Sequence, residues 1–174
     1  MNPCSDCGFE NIPGADHCQA CGQSLTEEHL DPASEVERCL IEDRIAALDP
    51  KTPQIVSPEA PLREVLKTLV DHSIGCVLVV QDNHVTGIFS ERDVLMRLGA
   101  DAAEHLDSPV SQWMTPNPRT LKTSDLIAFA LQRMDLGHYR HVPIVDEEGS
   151  PVGIISVRDI LRYLTERGAS LNDE

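Results

Sequence analysis

The chain has 174 residues, 41% of them hydrophobic, which is enough for one compact domain or two small intertwined ones. Its net charge is −15, from 14 Lys and Arg against 29 Asp and Glu, and so acidic a surface repels the phosphates of nucleic acids and anionic membranes. No apolar run approaches the ~20 residues of a membrane span, and the N-terminus lacks the basic start and apolar core of a secretory signal. We therefore expect a cytoplasmic protein that has neither nucleic acid nor a membrane as its partner.

The first 25 residues contain two Cys-x-x-Cys pairs separated by ten residues: Cys4 with Cys7, and Cys18 with Cys21. Each pair is followed by a glycine, which lets the backbone curl around the sulfurs. The segment is nearly without aliphatic residues, so it cannot bury a core and needs a cross-link. It resembles the short zinc ribbons of many bacterial proteins, and this resemblance implies a structural Zn²⁺ with no open coordination position. Two disulfides are the alternative, which a reducing cytosol disfavours.

The zinc ribbon predicted for residues 1–25 carries no Lys or Arg, which argues against DNA binding and favours protein contact or tethering. His17 adjoins a cysteine and is either a substitute ligand or a surface residue. Cys39 and Cys76 stand outside the paired motif, and we expect both to be small buried hydrophobes rather than reactive thiols.

Residues 26–34 are acidic and polar and contain Pro32, so they are predicted to form a linker. A helix is predicted from the capping residue Ser34 to the residues before Asp49, because a proline follows there. Further along the chain an amphipathic helix (57–75), two apolar strands (76–82 and 85–90) and another helix follow directly. The same order recurs as a helix (123–137), two strands (141–147 and 151–156) and a final helix.

These segments are two copies of one unit. Gly87, Ser90 and Asp93 recur as Gly153, Ser156 and Asp159, at an offset of 66 residues, while the earlier parts match at an offset of 65. Each unit is predicted as β-α-β-β-α with one sheet face uncovered, so two units should pack around a pseudo-twofold axis as one α+β module. We expect the first repeat with its leading helix at 35–105, the second at 106–167 and a flexible tail at 168–174.

The repeated Gly-x-x-Ser-x-x-Asp motif brings a strand to the start of a helix, where free backbone N–H groups favour an anion. The carboxylates of Asp93 and Asp159 could each accept two hydrogen bonds from a vicinal diol such as ribose. The adjacent Arg92 and Arg158 offer charge for a phosphate. The alternative is a capping box, in which the acid only holds the start of its own helix.

Over residues 40–167 the sequence resembles tandem CBS domains. The resemblance lies in VSPEAPLREVL and GCVLVVQDNHVTGIFSERDVL of the first copy, and in MTPNPRTL and YRHVPIVDEEGSPVGIISVRDIL of the second. It implies a regulatory module that binds an adenine nucleotide (AMP, ADP or ATP), with the motif aspartates on ribose and Ser90 and Ser156 lining the pockets. It also implies that segments after the first short strands frame adenine: Thr52, Pro53 and Ile55 in one copy, and Asn117, Pro118 and Thr120 in the other.

In such pairs the phosphate contacts come from basic residues that open the middle strand of the opposite copy. The second copy has Arg140 and His141 there, whereas the matching residues 73–76 of the first copy contain no base. We therefore expect the Asp93 pocket, served by Arg140 and His141, to prefer a phosphorylated nucleotide, and the Asp159 pocket to be weaker or to take a less charged ligand. The alternative for these two bases is an exposed polar strand end.

The sequence contains no catalytic grouping, phosphate loop or open metal site, so we do not expect an enzyme. We expect a sensor that regulates an unknown protein and forms a homodimer, in which apolar helix positions lie between subunits: Leu95, Leu98, Ile160 and Leu164. The main alternative is a dimerisation module that binds no ligand and presents the zinc ribbon. Binding of S-adenosylmethionine or nucleic acid is a third possibility.

Overall fold

The computed structural model describes residues 2–4, 7–12, 15, 17–23, 25 and 35–171. The chain divides into two compact units, Met1–Ser34 and Glu35–Glu174. The predicted linker at 26–34, with its capping serine, and residues 172–174 of the predicted tail lie outside the described residues.

The first unit contains a two-stranded antiparallel sheet of β1 (Asn2–Pro3) and β2 (Glu10–Asn11). Gly8 and Gly22 follow the two cysteine pairs with φ of 71° and 77°, a conformation that glycine adopts without strain. Each of these glycines donates its N–H to the carbonyl of the first cysteine of its pair. The buried Asn11 side chain accepts the Gln19 N–H at 3.0 Å, so the second cysteine turn is tied to the small sheet.

The second unit begins with α1 (Glu35–Glu42), a 3-10 turn (Ile45–Leu48), β3 (Ile55–Val56) and α2 (Leu62–Asp71). Next come the hairpin strands β4 (Cys76–Gln81) and β5 (His84–Ser90) and the short α3 (Glu91–Asp93), which continues as a π-helical turn (Val94–Leu98). Two 3-10 segments, Gly99–His105 and Val110–Gln112, lead to β6 (Thr115–Pro116). The chain closes with α4 (Ile127–Gly137), β7 (His141–Val145), β8 (Pro151–Ser156) and α5 (Val157–Leu171).

The predicted order of helices and strands is therefore present, but several helix boundaries differ, and the helix predicted over 123–137 begins only at Ile127. The helix predicted over 57–75 begins only at Leu62, because Pro61 is extended with ψ of 140°. The leading helix is interrupted at Arg44, whose extended backbone pairs with Leu126. Helix α5 continues to Leu171, inside the segment predicted as a tail.

The two repeats exchange the segments that precede them. In the first sheet β3 is parallel to β4, and β6, from the start of the second repeat, pairs antiparallel with β5. In the second sheet Leu121 forms a parallel bridge with Ile144, and Lys51, from the first repeat, forms an antiparallel bridge with Ile154. The two pairings are equivalent, so the pseudo-twofold module is built from intertwined halves.

The cores follow the same exchange. Ile45 and Leu48, which precede the first repeat, are buried in the core of the second repeat, whereas Val110 is buried in the core of the first. The leading helix thus contributes to the repeat from which the sequence analysis had separated it. A smaller buried cluster joins Cys76, Leu78 and Ile88 to the half-buried Ile154 of the other repeat.

The cores also decide three expectations about single residues. Leu98 and Ile160, expected between subunits, are only 3% and 1% exposed and pack inside their own chain, so that part of the prediction is wrong. Cys76 is buried as expected, and burial raises the pKa of its thiol to about 12, so it stays protonated and inert.

Among the described residues, no helix is long and apolar enough to cross a membrane.

Candidate functional site

Both Ser-x-x-Asp motifs form capping boxes. Asp93 Oδ2 accepts the N–H and the Oγ–H of Ser90 at 2.9 and 2.7 Å, and Asp159 Oδ2 accepts the same groups of Ser156 at 2.8 and 2.6 Å. Both carboxylates are buried. Capping occupies only one oxygen of each carboxylate, so the second oxygen distinguishes the two sites.

The second oxygens have different partners. Asp159 Oδ1 lies 3.0 Å from Lys51 Nζ and 3.1 Å from Arg162 Nη2. Burial raises the pKa of Asp159, but hydrogen bonds from Ser156 and Lys51 outweigh it and hold this pKa below its usual range. This residue is therefore a carboxylate at neutral pH, and its Oδ1 faces two cationic side chains that are 63% and 49% exposed.

Asp93 Oδ1 instead accepts the Thr115 hydroxyl at 3.0 Å and lies 3.4 Å from Arg97 Nε. The Arg97 side chain also donates to the carbonyls of Trp113 and Met114. The Met114 side chain covers Gly87, where an added Cβ would collide with its sulfur. Residues of the segment leading into β6 therefore occupy the space beside this carboxylate.

A cavity of about 570 Å³ lies between the repeats, and Asp159 is part of its wall. One side is the chain before β3, at Thr52, Pro53 and Gln54, and another is apolar, at Ile154 and Ile155. This volume is within the range of small-molecule sites, ~300–1,000 Å³. The cavity therefore joins an apolar slot, backbone groups and a buried carboxylate.

Arg140, His141 and Arg158 form a basic part of the remaining wall, which also contains Glu91 and residues 72–76. Burial lowers the pKa of His141; Arg140 and Arg158 act in the same direction, while Glu91 and Asp159 oppose them. The imidazole is therefore mostly neutral at pH 7, whereas the two guanidinium groups are cationic. This end of the cavity is suited to an anion.

Six further residues of the predicted site line the same cavity as Asp159: Thr52, Pro53, Arg140, His141, Ser156 and Arg158. The structure does not pair Arg140 and His141 with Asp93, as the sequence analysis expected. The antiparallel pairing of β7 with β8 places His141 opposite Ser156, and the Val157 N–H donates to the Arg140 carbonyl at 3.1 Å, so both bases lie beside the motif of their own repeat.

The other predicted residues lie elsewhere. Ile55 is 51% exposed in β3 and does not line the cavity. Arg92 Nη1 donates to the His138 carbonyl at 2.9 Å, and the Asn117 N–H donates to the Thr86 carbonyl. The Thr120 carbonyl accepts from Arg133. With Ser90, Asp93 and Pro118, these residues are outside the cavity wall.

The wall residues that the sequence analysis missed include Lys51, Gln54, His72, Glu91 and Arg162. The sequence around Lys51 does not indicate a role in the site, because its partner Asp159 is far along the chain. The two residues meet only because the segment that contains Lys51 pairs with the sheet of the second repeat. Glu91 and Arg162 had a usable signal, since they lie on the same helix starts as the two motif aspartates.

In the N-terminal unit the four paired cysteines converge. Their sulfurs lie within 4.8 Å of one another, and the pairs Cys4 with Cys21 and Cys7 with Cys18 are each 3.6 Å apart. All are free thiols. Burial opposes ionisation of Cys18, but backbone N–H groups lower its pKa to about 6, while burial and the neighbouring sulfurs raise the pKa of Cys21 to about 12.

Known proteins resemble the second unit. The sequence model of the family described as CBS domain matches residues 45–100 and 110–166. An uncharacterized 17.7 kDa protein of Acidianus ambivalens is 32% identical over 113 residues, which are 64% of this chain and 67% of that protein. A CBS domain-containing protein of Arabidopsis thaliana is 32% identical over 102 residues, or 59% of this chain, but the match spans only 19% of its own length.

Solved structures share the fold. A CBS-domain containing protein from Agrobacterium tumefaciens is 33% identical, with a TM-score of 0.61 over 68% of this chain and 95% of that chain. A CBS domain protein from Pyrobaculum aerophilum, complexed with AMP, is 28% identical, with a TM-score of 0.61 over 71% and 99% of the two chains. Since the family match covers both repeats and both Ser-x-x-Asp motifs, the chain belongs to the CBS domain family as a tandem pair of CBS repeats.

Proposed function

We propose that the cavity at Asp159 binds an adenine nucleotide and that the module is a regulatory sensor. The observation that carries this proposal is the combination of an apolar slot, a buried carboxylate and two arginines in one cavity of about 570 Å³. Ribose hydroxyls would bind Asp159 Oδ1, adenine would lie between the Pro53 segment and Ile154, and phosphate would meet Arg140 and Arg158. The AMP complex of the Pyrobaculum aerophilum relative supports this ligand class.

Binding at this place can carry a signal because the wall comes from both repeats. A nucleotide would contact Thr52 from the chain before β3 and Arg140 from the start of β7, and it would compete with Lys51 for Asp159 Oδ1. Ligand binding therefore favours one spacing of the two repeats over others. We propose that a partner protein, not identified by these features, responds to this change and that the chain itself is not an enzyme.

The test is calorimetric titration of the full chain with adenosine, AMP, ADP, ATP and S-adenosylmethionine. Arg158→Ala should weaken AMP binding by tenfold or more but adenosine binding little, because the guanidinium meets only phosphate. Arg92→Ala is the matched control, since Arg92 occupies the equivalent position of the first repeat and lies outside the cavity. Equal AMP affinity in both variants, or no binding of any adenine compound to the wild type, would refute the proposal.

We propose further that the cysteine cluster holds one structural Zn²⁺. A tetrahedral site with Zn–S bonds of about 2.3 Å has sulfur–sulfur edges of about 3.8 Å, and two of the pairs are 3.6 Å apart. The residues thus fit the metal, which would be ligated by Cys4, Cys7, Cys18 and Cys21. Four thiolate ligands leave no site for water, so the ion would stabilise the fold of the first unit and hold its surface for contact with another protein.

A ligand-independent assembly role has one observation in its favour. Leu95 and Leu161 occupy equivalent positions of the two repeats, and their side chains are 76% and 58% exposed. Met96, beside Leu95, is 73% exposed. We propose that a second copy of the chain covers these side chains in a homodimer, which is compatible with either a sensor or a scaffold.

A further inference from the structure

We infer that Glu91 is a specificity-determining residue that makes the cavity favour nucleotides with fewer phosphates. This inference rests on the proposed nucleotide binding at Asp159. It concerns a residue of the first repeat, whereas Arg140, His141 and Arg158 belong to the second.

The Glu91 carboxylate lies at the basic end of the cavity. Glu91 is the first residue of α3, and its N–H donates to the Gly75 carbonyl at 3.1 Å. A Cβ placed on Gly75 would be 3.7 Å from Glu91 Oε2 and 2.8 Å from His141 Cε1, so the carboxylate and the imidazole lie against the same glycine. Among the described residues of the cavity wall, Glu91 and Asp159 are the acids, and Asp159 is already paired with two cations.

The repeat itself indicates that this charge is not needed for the fold. The residue equivalent to Glu91 is Val157, which also begins a helix and lines the same cavity, but is apolar. The start of α3 already has its capping box from Asp93. The alternative is that Glu91 only stabilises α3, because an acidic side chain is favourable at a helix N-terminus. In that case the Glu91→Gln variant would be less stable, but its ligand preference would not change.

The charges at this end of the cavity balance a small anion. Lys51 and Arg162 share the single negative charge of Asp159, and Arg140 and Arg158 are opposed by Glu91, so these six side chains together carry a net charge of about two positive units. ATP carries about two more negative charges than AMP, and both would be added near the Glu91 carboxylate. A carboxylate ~8 Å from each added charge in a water-like dielectric changes the affinity about 2.4-fold per charge, hence the ATP to AMP ratio by about five- to sixfold.

The experiment is calorimetric titration of AMP and ATP, with EDTA present so that no divalent cation masks the phosphates. The proteins are the wild type, Glu91→Gln, and Glu64→Gln, a control that removes the same charge from the exposed face of α2. Glu91→Gln should lower the ratio of the ATP to the AMP dissociation constant about five- to sixfold and leave adenosine binding unchanged. Because the effect is Coulombic, the difference should shrink as the salt concentration rises to 0.5 M, where the screening length is only ~4 Å.

Two outcomes would overturn the inference while leaving the proposed function intact. One is an ATP to AMP ratio in Glu91→Gln within twofold of the wild-type ratio. The other is an equal change of the ratio in Glu64→Gln, which would indicate a general charge effect. Failure of the wild type to bind any nucleotide would overturn the proposed function and this inference together.

Discussion

Replacing Asp159 with alanine tests whether this aspartate binds a ligand in addition to capping its helix, because Asp93 provides a matched control. Both carboxylates are buried, and both accept the N–H and the Oγ–H of the serine three residues before them. They differ in that only Asp159 lines the cavity of about 570 Å³. The two substitutions should therefore have the same effect on stability and different effects on binding.

The magnitudes follow from the contacts. Loss of a capping box with its charge-assisted hydrogen bonds lowers the free energy of unfolding by about 1–3 kcal/mol, and this should hold for both Asp159→Ala and Asp93→Ala. Loss of the hydrogen bonds between ribose and a carboxylate weakens binding by ~1.5–3 kcal/mol, or about 10- to 150-fold in the AMP dissociation constant, in Asp159→Ala alone. The released Lys51 and Arg162 side chains are half exposed and can turn to solvent.

Calorimetric titration with AMP measures the affinities, and urea unfolding measures the stabilities, of the same three preparations. The expected result is a weakened AMP complex in Asp159→Ala and an almost unchanged one in Asp93→Ala. Equal affinities in all three proteins would show that the carboxylate has only its capping role. If instead Asp93→Ala bound AMP more weakly than Asp159→Ala, the AMP site would be at Asp93 in the first repeat, as the sequence analysis expected.

Three further predictions concern other parts of the molecule. The protein purified under reducing conditions should contain one zinc per chain, and chelation should remove only the structure of the first unit; a chain without zinc would contradict this. The folded-state pKa of His141 lies below its unfolded value of ~6.5, so below that pH the unfolded chain binds more protons and stability falls. The loss between pH 6.5 and pH 5 should be smaller in His141→Gln, and an unchanged pH profile would exclude His141 as its source. Light scattering should give the mass of a dimer for the wild type and of one chain for the double variant Leu95→Asp, Leu161→Asp; a monomeric wild type would argue against the proposed interface.

The sequence alone determined the repeat, the order of helices and strands, and the cysteine cluster. Each depends on local information: apolar spacing along a segment, a serine and an aspartate three residues apart, or two tight turns each followed by glycine. Thus β4, β5, β7 and β8 agree with the predicted strands to within two residues. The binding roles of the candidate residues stay predictions, since neither the geometry nor the resemblance to CBS proteins measures binding.

The tertiary structure decided which motif faces a cavity, because this depends on contacts between distant parts of the chain. The exchange of segments brings Lys51 to Asp159, and it brings Thr115 to Asp93. Neither pairing has a signature in local spacing. The basic residues at the start of β7 lie beside the Ser156 motif of their own repeat because β7 pairs with β8, and the expectation that they serve Asp93 did not take this pairing into account. Two motifs that are nearly identical in sequence therefore have different surroundings: Asp93 lies beside Thr115 and Arg97, whereas Asp159 lines the cavity.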